Sequence, residues 1–282
     1  MVIHNKYANG FEYVEIQNKS ATAKVALQGG HLFHYQQQGK NPLLWLSEKS
    51  HFETGKAIRG GIPICWPWFG KHPTDPALPQ HGFARTSPFE LIESREPDEN
   101  TTELLLQLQS SGRTLALWPY QFQLLLHIII GKTLTVALTT KNCDTKSFLL
   151  SSALHSYFAV SHIKDVAVQG LDEIEYWDAL TDETQIQKGD IHIREEVDRV
   201  YQTTENNLLL KDTDRIIEIS SEGSSSAVVW NPWIEKSKQM ADMQDAAYLS
   251  MLCIETANAL TDTRKIEPGE EHTIKALLTE YI

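Results

Sequence analysis

The sequence predicts an all-β, antiparallel fold of the sandwich or barrel type, with few and short helices. Three observations lead there. Apolar runs are short and alternate with polar residues. They recur at close spacing, separated by turn residues. Helical periodicity is scarce over the 282 residues. Many strands with few helices suit a large antiparallel sandwich or barrel.

Near the start of the chain, TAKVALQ and HLFHYQQ read as strands. TELLLQLQS (102–110) alternates toward its end. FQLLLHIII (122–130) and TLTVALTT (133–140) flank Gly131-Lys132 and read as a β-hairpin. FLLSSALHSYFAV (148–160), VAVQGL (166–171), IHIREEV (191–197), NLLLKD (207–212), RIIEIS (215–220), AVVWN (227–231) and YLSMLCIETA (248–257) continue the series. EPGEE (267–271) signals a turn before the last expected strand, TIKALLTEYI (273–282). IEKSKQMADMQD (234–245) fits either a short helix or an irregular loop. No fixed repeat or linker divides the chain, so one domain over 1–282 is expected.

Composition removes several function classes. The net charge is −12, from 25 Lys and Arg against 37 Asp and Glu. Coating nucleic acid or an anionic membrane needs a basic surface, so neither partner is expected. No apolar run is long enough for a transmembrane helix, and the start lacks a signal-peptide core. Cys65, Cys143 and Cys253 are scattered, without CxxC spacing, which fits reduced thiols in a cytoplasmic protein. His31 and His34 form HxxH, a spacing without strong metal meaning, and GxSxG is absent.

Residues 59–88, RGGIPICWPWFGKHPTDPALPQHGFARTSP, stand apart. They hold six of the eleven prolines. Each proline fixes φ and removes a donor, so this is no regular central strand or helix. A long stiffened loop carrying Arg59, Gln80, His81 and Arg85 either binds a ligand or covers a sheet edge. Gly60 and Gly61 beside Arg59 would let backbone approach a ligand closely.

Six pieces occur in a fixed order along the chain: RGGIPICWPWFG (59–70), LPQHGFAR (78–85), LHSYF (154–158), EVDRVY (196–201), WNPWIEKSKQMADM (230–243) and CIETAN (253–258). As an ordered set they resemble the hexose-6-phosphate mutarotases, or glucose-6-phosphate 1-epimerases, of the aldose 1-epimerase superfamily. The resemblance implies a galactose-mutarotase-like β-supersandwich. It implies interconversion of the α and β anomers of a hexose 6-phosphate, with glucose 6-phosphate the leading substrate. The alternatives are an aldose 1-epimerase of unphosphorylated sugars and a non-catalytic carbohydrate-binding protein.

By the same resemblance His155 is the general acid and Glu255 the general base. Asp198 holds sugar hydroxyls, Arg59, Gln80 and Arg85 bind substrate, with the arginines near the phosphate, and His81 lines the pocket. No cofactor and no metal are implied, and a monomer suffices. The chemistry matches these residue types. A base takes the proton of the anomeric hydroxyl while an acid protonates the ring oxygen, and each group contributes ~10²–10⁴-fold.

Local pattern constrains the same residues independently. Alternation puts Ala153, His155 and Tyr157 on one strand face, opposite Leu154 and Phe158. An imidazole titrates near neutrality, and a nearby carboxylate would raise its pKa. Met251, Cys253 and Glu255 share a face; at Glu255 the strand either emerges into solvent or buries a carboxylate, which is costly without a partner. Asp198 lies in the charged run REEVDR, which by itself reads as a solvated face. One of Trp66, Trp68, Trp230 and Trp233 is expected to touch substrate.

Overall fold

A computed structural model describes residues 1–203 and 207–281. It is built almost wholly of antiparallel strands. Four of them, Val2–Lys6, Glu12–Gln17, Ala21–Ala26 and His31–Gln37, pair in that order as a meander. An eight-stranded outer sheet runs Ala167–Gln169, Asn207–Lys211, Ile216–Glu222, Glu271–Tyr281, Leu134–Asn142, Phe122–Ile130, Thr101–Gln109 and Glu90–Asp98. A second eight-stranded sheet carries the candidate site. Its path is Glu183–Ile186, Glu175–Asp178, Val197–Gln202, Ser226–Asn231, Met251–Asn258, Ser152–Leu154 and Ile64–Cys65, and Tyr157–Ala159 also pairs with Met251–Asn258. Phe148–Leu150 and Arg264–Ile266 form a small separate pair. The α-helices among the described residues, Gly112–Leu117 and Trp233–Gln239, are both short.

Alternation explains the layering. Phe122–Ile130 and Leu134–Asn142 bury every second residue and form the expected hairpin. Their inward side chains, among them Leu124, Leu126, Ile128, Val136 and Leu138, join the main apolar cluster. That cluster also takes Val14, Val25 and Leu32 from the meander and Leu154, Phe158, Leu252 and Ile254 from the second sheet. Sheet-on-sheet burial of this kind is the main stabilising term of the fold.

Several expected boundaries change. FLLSSALHSYFAV is three short strands rather than one, because the chain breaks at Ser151 and at His155-Ser156. IHIREEV is not a strand. Ile191 makes one isolated bridge to Val168, and regular pairing begins only at Val197. Apolar alternation there reflects the burial of Ile191 and Ile193 against the core, with pairing to the strand Ala167–Gln169 limited to that one bridge. The 234–245 segment starts as a helix and continues irregularly. Ile282, the end of the last expected strand, lies outside the described residues. Strands at Val2–Lys6, Glu12–Gln17, Glu90–Asp98, Glu175–Asp178 and Glu183–Ile186 have no clear signal in the sequence, being rich in charge or short. No described helix is long and apolar enough to cross a membrane.

Candidate active site

The site lies on the face of the second sheet that is turned away from the main core. Strand register assembles it. Tyr157, Cys253, Trp230 and Asp198 occupy successive partners in one row. Glu255, Val228 and Val200 occupy the next. The chain breaks at His155, but its pairing with Met251–Asn258 keeps one register on both sides. His155 is therefore carried opposite Glu255, although the two are far apart in sequence.

Their side chains meet. His155 Nε2 lies 3.3 Å from Glu255 Oε1. Glu255 keeps only 2% of its surface exposed and His155 only 9%. The strand does not emerge into solvent at Glu255; it buries the carboxyl. His155 Nδ1 and Glu255 Oε2 are buried and have no hydrogen-bond partner among the described residues. Unmet polar atoms in a buried position are costly. Two together on one pair mark a place built for something other than stability.

The electrostatics of the pair differ from the expectation of a raised histidine. Burial pushes the Glu255 carboxyl well above the usual carboxylate range, and Asp198 adds to this. Burial also pushes His155 well below its ordinary value, helped by His81, Arg59 and Arg85. A lone neighbouring carboxylate would have raised the imidazole; desolvation and two guanidinium groups outweigh it. Both shifts favour the uncharged pair, with one proton held between the two side chains.

The proline-rich loop wraps this pair. Its first part runs beside the broken strand, where the amides of His155 and Tyr157 donate to the carbonyls of Pro63 and Gly61. Gly60 and Gly61 serve that packing rather than ligand approach. A Cβ at Gly61 would fall 2.3 Å from the Leu32 carbonyl oxygen, and one at Gly60 would fall 2.5 Å from that of Trp45. Arg59 thereby enters the site. Its Nε and Nη2 lie 3.1 Å from Asp242 Oδ2, and Nη1 donates to Tyr157 Oη at 3.0 Å.

His81 arrives from the far end of the loop in the left-handed region, at φ 64°. Gly70 holds it twice: the His81 amide donates to the Gly70 carbonyl at 2.7 Å, and the Gly70 amide donates to His81 Nδ1 at 3.2 Å. Burial, with Arg85 and Arg59, pushes the His81 imidazole down to about 3. With Nδ1 accepting, the neutral ring carries its proton on Nε2. Its ring stands edge-on to His155, 6.0 Å away. Arg85 lies near enough to depress both histidines, and its Nη2 donates to the Gln80 carbonyl at 2.7 Å. Gln80 is exposed, and its carbonyl is the atom that holds Arg85.

Asp198 is half-buried on the neighbouring strand. Burial, with Glu196 and Asp178, pushes it up to about 6, opposed by Lys236. Of the four tryptophans, Trp230 stands edge-on to His155. Trp66 is core, donating to Thr140, Trp68 donates to the Pro79 carbonyl, and Trp233 packs on Tyr248. Two further residues that bear on the site are not among those the sequence singles out as ligand-binding or catalytic. Tyr157 stacks on His155 with centroids 4.7 Å apart at 8°. Asp242 anchors Arg59. Both lie in the family-like pieces; alternation puts Tyr157 on the face of His155, but nothing in the spacing marks Asp242.

A buried carboxyl–imidazole pair near two arginines, on a sandwich of antiparallel strands, is an arrangement able to exchange protons with a bound molecule. Comparison with known proteins shows the fold and the family. The sequence profile of the aldose 1-epimerase family matches residues 12–279. A protein of Escherichia coli (strain K12), provisionally named glucose-6-phosphate 1-epimerase, is 35% identical over 269 residues, covering 94% of this chain and 89% of its own. A Cenchrus ciliaris protein with the same provisional name is 36% identical, covering 94% and 84%. The crystal structure of YeaD from Salmonella typhimurium, provisionally called a mutarotase, superposes with a TM-score of 0.93 at 32% identity, over 99% of this chain and 93% of that one. A galactose mutarotase-like protein of Lactobacillus casei shares the fold at a TM-score of 0.76 and 15% identity, over 95% and 100%. The chain belongs to the aldose 1-epimerase family.

Proposed function

We propose that this protein interconverts the α and β anomers of a hexose 6-phosphate, with glucose 6-phosphate as the leading substrate. The observation that carries the reading is the buried His155–Glu255 pair with its two unpartnered atoms, within the field of Arg59 and Arg85. Binding a sugar without turning it over does not require a matched acid and base. An arginine pair in a chain of net charge −12 suits a substrate that carries its own anion.

The pair holds one proton, which burial draws to Glu255. Its transfer across the 3.3 Å contact makes the imidazolium–carboxylate form. A phosphate dianion nearby favours the imidazolium. Glu255 then removes the O1 hydroxyl proton while His155 gives its proton to O5. The C1–O5 bond breaks and C1 becomes the carbonyl of the open-chain aldehyde. Rotation about C1–C2 presents the other carbonyl face. The two residues then return the protons in reverse roles as the ring closes. Asp198 and Gln80 bind sugar hydroxyls, and His81 contributes a neutral donor. The reading needs no cofactor or metal, and takes the protein as a cytoplasmic monomer acting on a small molecule.

Two-dimensional exchange NMR on equilibrated glucose 6-phosphate tests this directly, with glucose in parallel. Faster α–β exchange of the phosphorylated sugar alone is the expected result. Equal acceleration of both sugars would favour an aldose 1-epimerase of free sugars. No acceleration of either, with tight binding of the sugar phosphate, would leave a carbohydrate-binding protein.

A further inference from the structure

A catalytic imidazole is commonly oriented by a hydrogen bond at its second ring nitrogen. His155 has no such bond to another residue, since Nδ1 is buried without a partner among the other described residues. Its ring is fixed in another way. Tyr157 lies flat against it at 4.7 Å and 8°. Trp45 also stacks on Tyr157, at 5.9 Å and 23°, and Trp230 meets both the Tyr157 and His155 rings edge-on. Tyr157 is 1% exposed.

Tyr157 is itself held at its far end. Its Oη accepts from Arg59 Nη1, and Arg59 is gripped by Asp242 through two further nitrogens. The Asp242 backbone is fixed in turn, its carbonyl accepting from Ser47 Oγ at 2.7 Å. A continuous line of contacts therefore runs from Asp242 through Arg59 and Tyr157 to the face of His155.

We propose that Asp242, Arg59 and Tyr157 form a positioning chain for His155, in which the Tyr157 ring supplies the orientation that a hydrogen bond at Nδ1 would otherwise give. The proposal rests on the anomerase reading for its kinetic consequences. It gives Arg59 a second task besides the phosphate. Three of its nitrogens face protein partners, so its loss disturbs the acid as well as the binding site.

The test uses Tyr157→Leu, Tyr157→Phe, Asp242→Asn and the double variant Tyr157→Phe/Asp242→Asn. Tyr157→Leu removes the stack and should lower kcat for glucose 6-phosphate about 10²-fold with KM little changed, the pattern of a misplaced proton donor. Tyr157→Phe keeps the stacked ring but loses the Oη contact with Arg59, so it should lower kcat less than Tyr157→Leu and by about as much as Asp242→Asn. Asp242→Asn should lower kcat, and the double variant should lose little more than the worse single one, because both changes cut one chain. Ring ¹⁵N resonances of His155 in the ligand-free protein give a readout that needs no turnover. They should shift or broaden strongly in Tyr157→Leu and less in Tyr157→Phe.

Wild-type kcat in Tyr157→Leu, equal losses in the Leu and Phe variants, or additive losses in the double variant would each overturn the chain. If Tyr157→Leu does not fold, the Phe and Asn cycle decides. A wild-type protein without exchange activity would sink the anomerase reading, and the ¹⁵N comparison would still decide the positioning.

Discussion

The strand Met251–Asn258 is buried along its whole length, yet its two faces are built on different rules. Leu252 and Ile254 enter the main cluster, which packs continuously against the outer sheet. On the other face, Met251 and Cys253 join one small cluster with Trp45 and Tyr157, and Ala257 joins a second with Cys65 and Val228. Glu255 sits between the two, and His155 interrupts the neighbouring strand at the same level. The apolar surface is cut by a polar band where the sheet could have continued it. A core face is optimised for burial. The site face gives up continuous apolar packing to hold one proton between two side chains.

Glu255→Gln should separate the faces most sharply. It removes the base without altering size, and kcat should fall ~10²–10⁴-fold. Stability should change less than for any large truncation on the core face, because the carboxyl is already held uncharged by burial. Exchange NMR and a melting curve on one sample check both halves. A variant with wild-type exchange would remove Glu255 from the chemistry.

Ile254→Ala is the reciprocal experiment, one residue away on the same strand. Ile254 is 1% exposed in the main cluster, and truncation to Ala should cost about 2–5 kcal/mol of stability. If the protein remains folded, kcat at a temperature well below the melting transition should stay near wild type. A large kcat loss in a fully folded sample would show that the two faces are coupled rather than independent.

Arg85 and Arg59 refine the site face itself. Arg85 donates to one exposed carbonyl and has no role in the Tyr157 contact. Arg85→Ala should raise KM for glucose 6-phosphate ~10-fold, the scale of a charge-assisted hydrogen bond, while kcat holds. Arg59→Ala should raise KM and lower kcat together, because it also frees Tyr157. Identical kinetic signatures for the two arginines would erase that distinction.

Much of this architecture is legible in the sequence. Alternation places Glu255 beside Met251 and Cys253, and His155 beside Ala153 and Tyr157, and the fold keeps both faces so. Whether the face of Glu255 is wet or dry is not legible, since that depends on the loop 59–88 and the segment after Trp233–Gln239 folding over it. Asp242 shows the limit best. It lies 183 residues from Arg59, so no local pattern links them, and a carboxylate in a polar stretch reads as solvated. The glycines mislead for a related reason. Their need is visible, but their purpose, backbone packing against Trp45 and Leu32, exists only in three dimensions.

Asp198 gives the smallest expected effect and the most specific sign. Its carboxyl is pushed up to about 6, from an unfolded value near 3.8. Between those values the folded chain binds more protons than the unfolded one, so the contribution of Asp198 to stability falls as pH rises through that window. His81 acts oppositely, because its folded value of about 3 lies below the ordinary 6.5, and its contribution falls as pH drops below 6.5. A melting profile of the wild type alone mixes the two slopes. The difference between Asp198→Asn and wild type isolates one of them. It should be near zero at pH 4, grow in favour of the variant through pH 6, and level off above. A difference independent of pH would mean that Asp198 ionises as freely in the fold as in water, and that the polar band ends at Glu255 rather than extending across the next strand.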